Sequence, residues 1–216
     1  RVFNTPVTGG NVSFYNESEK GAVYPSPVIG MLGLLEHYNQ KTSIEFKNEG
    51  DFIVLIGSIE GTLGGSEYLK TIHKQINGPI PHIDLDFEYA VQKVCLESIK
   101  KGIIHSAHDI SDGGLAVCIA ESFIYSKENL GVKLDLKRKS RNDELLFGEC
   151  QSSIIVSISE EKLIDLINIA NKYDVPTQTI GKVNNTNRIE INDLINIERA
   201  NVHNSFFNSL EKIMNQ

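Results

Sequence analysis

The sequence predicts an α+β fold in which a mixed β-sheet is flanked by helices. Three observations predict it. Strand-length apolar runs such as Phe52 to Ile56 recur along the chain, and others alternate between apolar and polar faces. Stretches such as Asp86 to Lys101 repeat their apolar residues at the helical period instead. The links between them are short and rich in glycine, which favours this class over a purely parallel doubly wound sheet.

Taken in order, residues 1–36 mix β-prone stretches with Gly and Pro, and Val28 to Leu34 reads as a buried strand. Residues 37–50 are polar and read as a connector with one short strand. Phe52 to Gly57 is a buried strand ended by glycine, followed by a glycine loop and a short helix across Gly61 to Leu69. Phe87, Ala90, Val91, Val94 and Cys95 line the next helix, which closes on two lysines with Gly102 as an αL stop. Ile103 to Ala107 is a short strand, and Leu115, Cys118, Ile119 and Phe123 mark the buried face of a second helix.

Val132 to Leu136 alternates like a half-buried strand, and Ser152 to Ser159 is another. Ser159 is placed to N-cap the helix carrying Leu163, Leu166, Ile167 and Ala170. Pro176 ends that region. Arg188 to Ile191 is a strand, and Phe206, Leu210 and Ile213 share one side of a final helix.

Composition narrows the function. The chain has 216 residues, 40% of them apolar and 23% charged, as expected of a soluble protein with a real core. A net charge of −7 argues against nucleic acid as a bulk partner. Apolar runs are too short to span a bilayer, so no membrane role is expected. Cys95, Cys118 and Cys150 lie apart in apolar segments without CxxC spacing, which reads as buried free thiols and a cytoplasmic location. No signal peptide is visible, and a chain opening on Arg1 is expected to lack its natural N-terminus.

Four glycine-centred segments concentrate the chemistry. In Thr8-Gly9-Gly10-Asn11-Val12-Ser13, the diglycine permits positive φ and close approach of a phosphate, Asn11 offers a carbonyl oxygen suited to magnesium, and Ser13 offers a hydroxyl. A plain Gly-Asn turn explains the same residues about as well. His108-Asp109-Ile110-Ser111-Asp112-Gly113-Gly114 lies between a strand and a helix. There Ser111 or Asp109 is expected to cap the helix, and the diglycine to let another segment pack against its first turn. Two carboxylates at that point repel a bare anion, so capping outweighs catalysis.

Leu63-Gly64-Gly65-Ser66-Glu67 reads as a tight turn with an N-cap. Gly148-Glu149-Cys150-Gln151-Ser152 carries groups able to hydrogen-bond a polar ligand, and Cys150 has no histidine placed to activate it. His37, His73, His82 and His203 are assigned no role.

Taken in this order, with Tyr24-Pro25-Ser26-Pro27-Val28-Ile29-Gly30 between the first two, the glycine segments closely resemble the phosphoribosylformylglycinamidine synthase family, of the aminoimidazole-ribonucleotide-synthetase-like superfamily. The resemblance covers essentially the whole chain and matches the C-terminal portion of that synthetase component. It implies that residues 1–36 are the tail of an N-terminal-type domain and residues 37–216 a synthetase-like C-terminal domain. It also implies ATP-dependent conversion of formylglycinamide ribonucleotide to the amidine in purine biosynthesis. There the amide oxygen is activated as an iminophosphate and ammonia from glutamine displaces the phosphate.

Carried over by position, Gly10 contacts ATP, Asn11 ligates magnesium and Ser13 contacts substrate. No catalytic residue is carried over, and the fragment alone is expected to be inactive. Implied partners are the N-terminal half of the same synthetase and a glutaminase domain or subunit. An excised copy could also pair with itself as a homodimer.

The departures are specific. The family's catalytic histidine segment, its lysine and its other metal carboxylates belong to the half not present here, and an aspartate of the ATP site is expected upstream of Arg1. The family usually has serine where Cys150 stands and arginine where Ser153 stands. A non-catalytic scaffold or dimerisation domain binding an auxiliary nucleotide is the competing reading. Another superfamily member, such as a kinase or a selenophosphate-type synthetase, is disfavoured by the Tyr-Pro-Ser-Pro and His-Asp-Ile-Ser-Asp-Gly-Gly pair.

Overall fold

A computed structural model of the chain describes residues 1–12, 14–127, 129–137 and 141–215. Its centre is β3 (Phe52–Gly57), which alternates two apolar faces on one strand: Ile53 and Leu55 point one way, Val54 and Ile56 the other. Burying each such side chain contributes about 1.5–3 kcal/mol relative to exposure, so a strand apolar on both faces demands a layer on each side. The fold supplies both.

Around β3 runs a seven-stranded mixed sheet. It comprises β4 (Ser106–Asp109), β5 (Gly131–Leu134), β6 (Ser153–Ile158), β7 (Thr177–Asn184), β8 (Arg188–Ile191) and β9 (Ile195–Glu198) in the spatial order β4-β6-β3-β7-β5-β8-β9. All neighbours are antiparallel except the β5–β8 pair. Helices α2 (Leu85–Lys100) and α5 (Leu163–Lys172) cover one face through Val91, Val94, Cys95, Leu166 and Ile169. On the opposite face pack α3 (Gly114–Ile124) and α4 (Asn142–Phe147), through Leu115, Ile119, Phe123, Leu145 and Leu146. The α+β reading holds.

Helix α1 (Glu67–His73) begins where the sequence indicates, with Ser66 Oγ accepting from Leu69 N–H and donating to the Leu63 carbonyl. Helix α2 stops at an αL Gly102, as the lysine-glycine ending predicts. The strands at 52–57, 153–158 and 188–191 also stand where the sequence puts them.

Several expectations fail, each for an identifiable reason. Val28 to Leu34 is neither strand nor buried; Val28 is 98% and Leu32 100% exposed. An extended apolar run becomes a strand only when a neighbour completes its hydrogen-bond ladder, and the described sheet ends at β4 and β9 without reaching it. Among the described residues of 1–36, the one ladder is the short hairpin of β1 (Glu17–Ser18) and β2 (Gly21–Ala22). The strand expected at 103–107 starts at Ser106 instead, because Ile103 and Ile104 turn inward against α2 and α5.

Ser159 caps no helix with its side chain; a 3-10 turn, Glu160–Lys162, intervenes before α5. The final helix is broken at Asn208 into α6 (Arg199–Phe207) and α7 (Ser209–Met214). Strand β7 was not legible: its Thr177, Thr179 and Lys182 pair with Ile56, Val54 and Phe52 on the α2/α5 side, yet no β7 residue joins the apolar cluster there, so its apolar signal is halved. Short α4 and edge strand β9 were missed too.

One buried cation fastens the C-terminal segment. The Arg199 guanidinium donates to the carbonyls of Phe123, Ile124, Ser126, Lys127 and Leu130, and its plane lies 4.0 Å from the Phe123 ring. It thereby satisfies the orphan carbonyls at the end of α3.

Candidate functional site

Antiparallel alternation brings the glycine loops to one end of the sheet. The segments after β3 (58–66) and β4 (110–113), and those before β6 (148–152) and β7 (174–176), all meet there. Their approach is closer than any side chain allows. A Cβ on Gly61 would sit 2.6 Å from Gly148 C, and one on Gly114 would sit 2.7 Å from Gly148 O and Phe147 C. The sequence expectation that Gly113-Gly114 admits a packing segment is correct, and that segment is 147–148.

The capping expectation for this motif is overturned. Neither Asp109 nor Ser111 caps α3; its N-cap is Gly113, in the αL region at φ 81, with no side-chain bond of its own. The left-handed Gly113-Gly114 turn moves the helix start beyond the reach of the Ser111 side chain, whose carbonyl instead accepts from Gly114 N–H. A residue from another loop fills the role. Glu149 Oε1 accepts from Gly113 N–H at 2.9 Å and from Glu67 N–H at 2.8 Å, tying the starts of α3 and α1 to one carboxylate. Its backbone also exchanges two hydrogen bonds with Thr62.

Sequence reasoning missed this hub, noting in the 148–152 segment only groups able to hydrogen-bond a polar ligand. The partners lie 36 and 82 positions from Glu149, so no local spacing announces them.

Asp109 pairs instead with its neighbour. His108 Nδ1 lies 3.5 Å from Asp109 Oδ1, and His108 Nε2 lies 2.7 Å from Glu121 Oε2. Asp109 and Glu121 together raise the imidazole above its ordinary pKa against the opposing effect of burial, and His108 in turn lowers Asp109. Burial raises the Cys150 thiol, and Cys95 is pushed up to about 11, so these cysteines are packing groups and not nucleophiles.

Three adjoining clefts open between the loops. One of about 450 Å3 is lined by Ser58, Glu60, Lys137, Glu144 and Gln178. A second, of about 370 Å3, takes in Ser58, Glu60, His82, Asp84 and Gln151. A third, of about 460 Å3, faces Glu88, Asp109, Asp112 and Gln151. No lysine or arginine lines the second or third, so they suit an anion only when a cation accompanies it.

The first diglycine stands apart from this assembly. Gly10 and Asn11 lie on the exposed segment 1–39, and Ser13 falls outside the described residues. Neither Gly9 nor Gly10 adopts positive φ, and a Cβ on either would meet nothing within 4 Å. A phosphate or another segment therefore has open access to both. Among the described residues, no group of three His, Cys, Asp or Glu side chains is arranged to hold a metal. No described helix is long and apolar enough to cross a membrane.

A curled mixed sheet with helices on both faces and glycine-built loop ends is the architecture of a known domain. Residues 48–193 match the sequence model described as "AIR synthase related protein, C-terminal domain", and the chain belongs to that family. Among its relatives, phosphoribosylformylglycinamidine synthase subunit PurL of Thermoanaerobacter pseudethanolicus is 44% identical over 178 residues, covering 82% of this chain and 24% of the relative. The PurL subunit of Alkaliphilus metalliredigens is 39% identical over 201 residues, covering 93% and 27%.

The chain thus spans about a quarter of the length of these relatives. The Thermotoga maritima structure "PurL complexed with FGAR" shares the fold with a TM-score of 0.62 at 20% identity, over 77% of this chain and 30% of that one. The ATP complex of the same protein gives 0.60 at 20% identity, over 77% and 28%.

Proposed function

We propose that this chain is one part of an ATP-dependent synthetase of purine biosynthesis that converts formylglycinamide ribonucleotide and glutamine-derived ammonia to the amidine. The observation that carries the reading is 44% identity to a PurL subunit across 82% of the chain. Solved PurL chains of the same fold are described in complex with FGAR, ATP and ADP, and one as the assembly PurLQS, which supports nucleotide, substrate and a glutaminase subunit as partners.

In this reading residues 1–36 belong to a preceding N-terminal-type domain and residues 37–216 form the C-terminal-type domain, acting in the cytoplasm. Gly10 lies against ATP, Asn11 gives one oxygen to magnesium, and Ser13 hydrogen-bonds the substrate. Magnesium would neutralise charge on the phosphates during transfer. The exposure of Gly10 and Asn11 supports the assignment, since both are open to a second wall of the site. By itself the chain lacks that wall and turns over no ATP. Its uncovered apolar surfaces pair with the other half of the synthetase, or with a second copy when that half is missing.

The test replaces Asn11 and Ser13 together by Ala in the whole synthetase. Amidine formation is expected to fall at least tenfold with the melting temperature unchanged. A near-normal steady-state rate would remove the direct-site assignment and leave the scaffold reading. ATP hydrolysis by the isolated 216-residue chain, given substrate and ammonia, would show that the site lies elsewhere.

A further inference from the structure

The C-terminal helix pair is held firmly at its base and bare on its outer face. Arg199, buried in the end of α3, fixes where α6 starts. From there the chain displays Phe206, Phe207, Leu210, Ile213 and Met214, joined by Tyr125 at the end of α3. Leu210 and Ile213 are each 69% exposed. The rings are organised: Phe206 and Phe207 lie 5.0 Å apart at 76°, and Tyr125 meets both edge-on at 6.1 Å. The residues matched by the family model end at 193, before this surface begins.

Six such side chains together leave on the order of 600 Å2 of apolar surface, at the upper end for a free monomer and close to the ~800 Å2 that each side of a standard interface buries. Aromatic side chains dominate it, as they do the centres of protein interfaces. Its acidic and basic side chains are balanced, because α7 carries Glu211 and Lys212 side by side, and α6 adds the imidazole of His203, 4.6 Å from the Phe207 ring. A strongly acidic or basic partner finds no complement here, whereas a second copy related by a two-fold axis finds one. Each Lys212 then meets the other copy's Glu211 at the rim of a shared aromatic centre.

We infer that α6 and α7 form an isologous docking surface for a second copy of this chain. The inference rests on the self-association reading above and names the surface that carries it. The test is sedimentation of the full 216-residue chain over a wide concentration range, with circular dichroism confirming that each variant folds. The wild-type chain is expected to dimerise, and Ile213→Glu or Phe207→Glu to raise the dissociation constant at least tenfold.

Reversing either charge alone, Glu211→Lys or Lys212→Glu, is expected to weaken the dimer about threefold, and both together to restore it. That restoration is the signature of a two-fold contact, and it decides the matter if the apolar variants fold poorly. A monomer at every concentration overturns both the inference and the self-association reading. A dimer that survives Ile213→Glu but is lost on replacing Val28, Ile29 and Leu32 by Asn overturns the inference alone, with the N-terminal stretch as the interface.

Discussion

Of the chain's three diglycines, Gly9-Gly10 and Gly113-Gly114 stand in opposite physical situations. Gly113 and Gly114 adopt φ of 81 and 72, and a Cβ on either would come within 3 Å of a neighbouring atom. Gly9 and Gly10 take no positive φ and have open space around them. A diglycine can therefore be a packing requirement or an access requirement, and only the second leaves room for a ligand. The pair that most resembled a helix-terminus anion site is the one filled by protein.

Substitutions at the two pairs give the largest contrast. Gly114→Ala places a side chain in the αL region and into the 147–148 backbone, so a loss of about 3 kcal/mol is expected. In a chain of this length that lowers the melting temperature by roughly 6–12 °C in a thermal scan. Gly10→Ala is expected to change stability by less than about 0.5 kcal/mol while reducing activity of the whole synthetase. Comparable destabilisation by both substitutions would end the distinction.

Glu149 sharpens the same comparison, since its carboxylate accepts from the Gly113 N–H of the packed pair. Glu149→Ala leaves the amides of Gly113 and Glu67 without that acceptor and is expected to cost about 2 kcal/mol in urea denaturation. Glu149→Gln, which retains an acceptor oxygen, is expected to recover about half of that. Equal effects of Ala and Gln would mean that charge, and not the two hydrogen bonds, holds the turn.

The smallest expected effect is a pH dependence beside this turn. His108 has its pKa raised by Asp109 and Glu121. Its stabilisation is therefore fully present below the unfolded value near 6.5 and is lost as pH rises through the higher folded value. Asp109 is lowered, so its contribution is present above the ordinary value of 3.8 and is lost as pH falls through the folded one. Stability measured from pH 6 to 9 should decline by well under about 1 kcal/mol, and His108→Gln should flatten the slope. A slope unchanged in that variant would assign the titration to another group.

Much of this fold was legible because local chemistry and tertiary need agreed. The run Phe52 to Ile56 is apolar on both faces, and β3 became a central strand with a helical layer on each side. Ser66 capped α1 and Gly102 ended α2, since caps depend on a few adjacent backbone groups. The resemblance in the glycine segments led to the right family for the same reason: each turn restricts a handful of neighbouring positions. The described site was less legible. It is built from hydrogen bonds that skip tens of residues, as in Glu149 to Glu67, and from pairings such as His108 with Glu121 that depend on how α3 docks on the sheet.

The sequence by itself therefore determined the longer helices and the buried strands β3 and β6, the burial of the cysteines and the family, because periodicity, propensity and turn stereochemistry act over a few bonds. Only the tertiary structure decided which diglycine is packed and which is open. It also decided that β7 completes the sheet despite its polar face, and that Val28 to Leu34 stays exposed despite its apolar one. Strand partners, close backbone approach and the cover over an apolar surface are relations between distant segments, and no single segment encodes them.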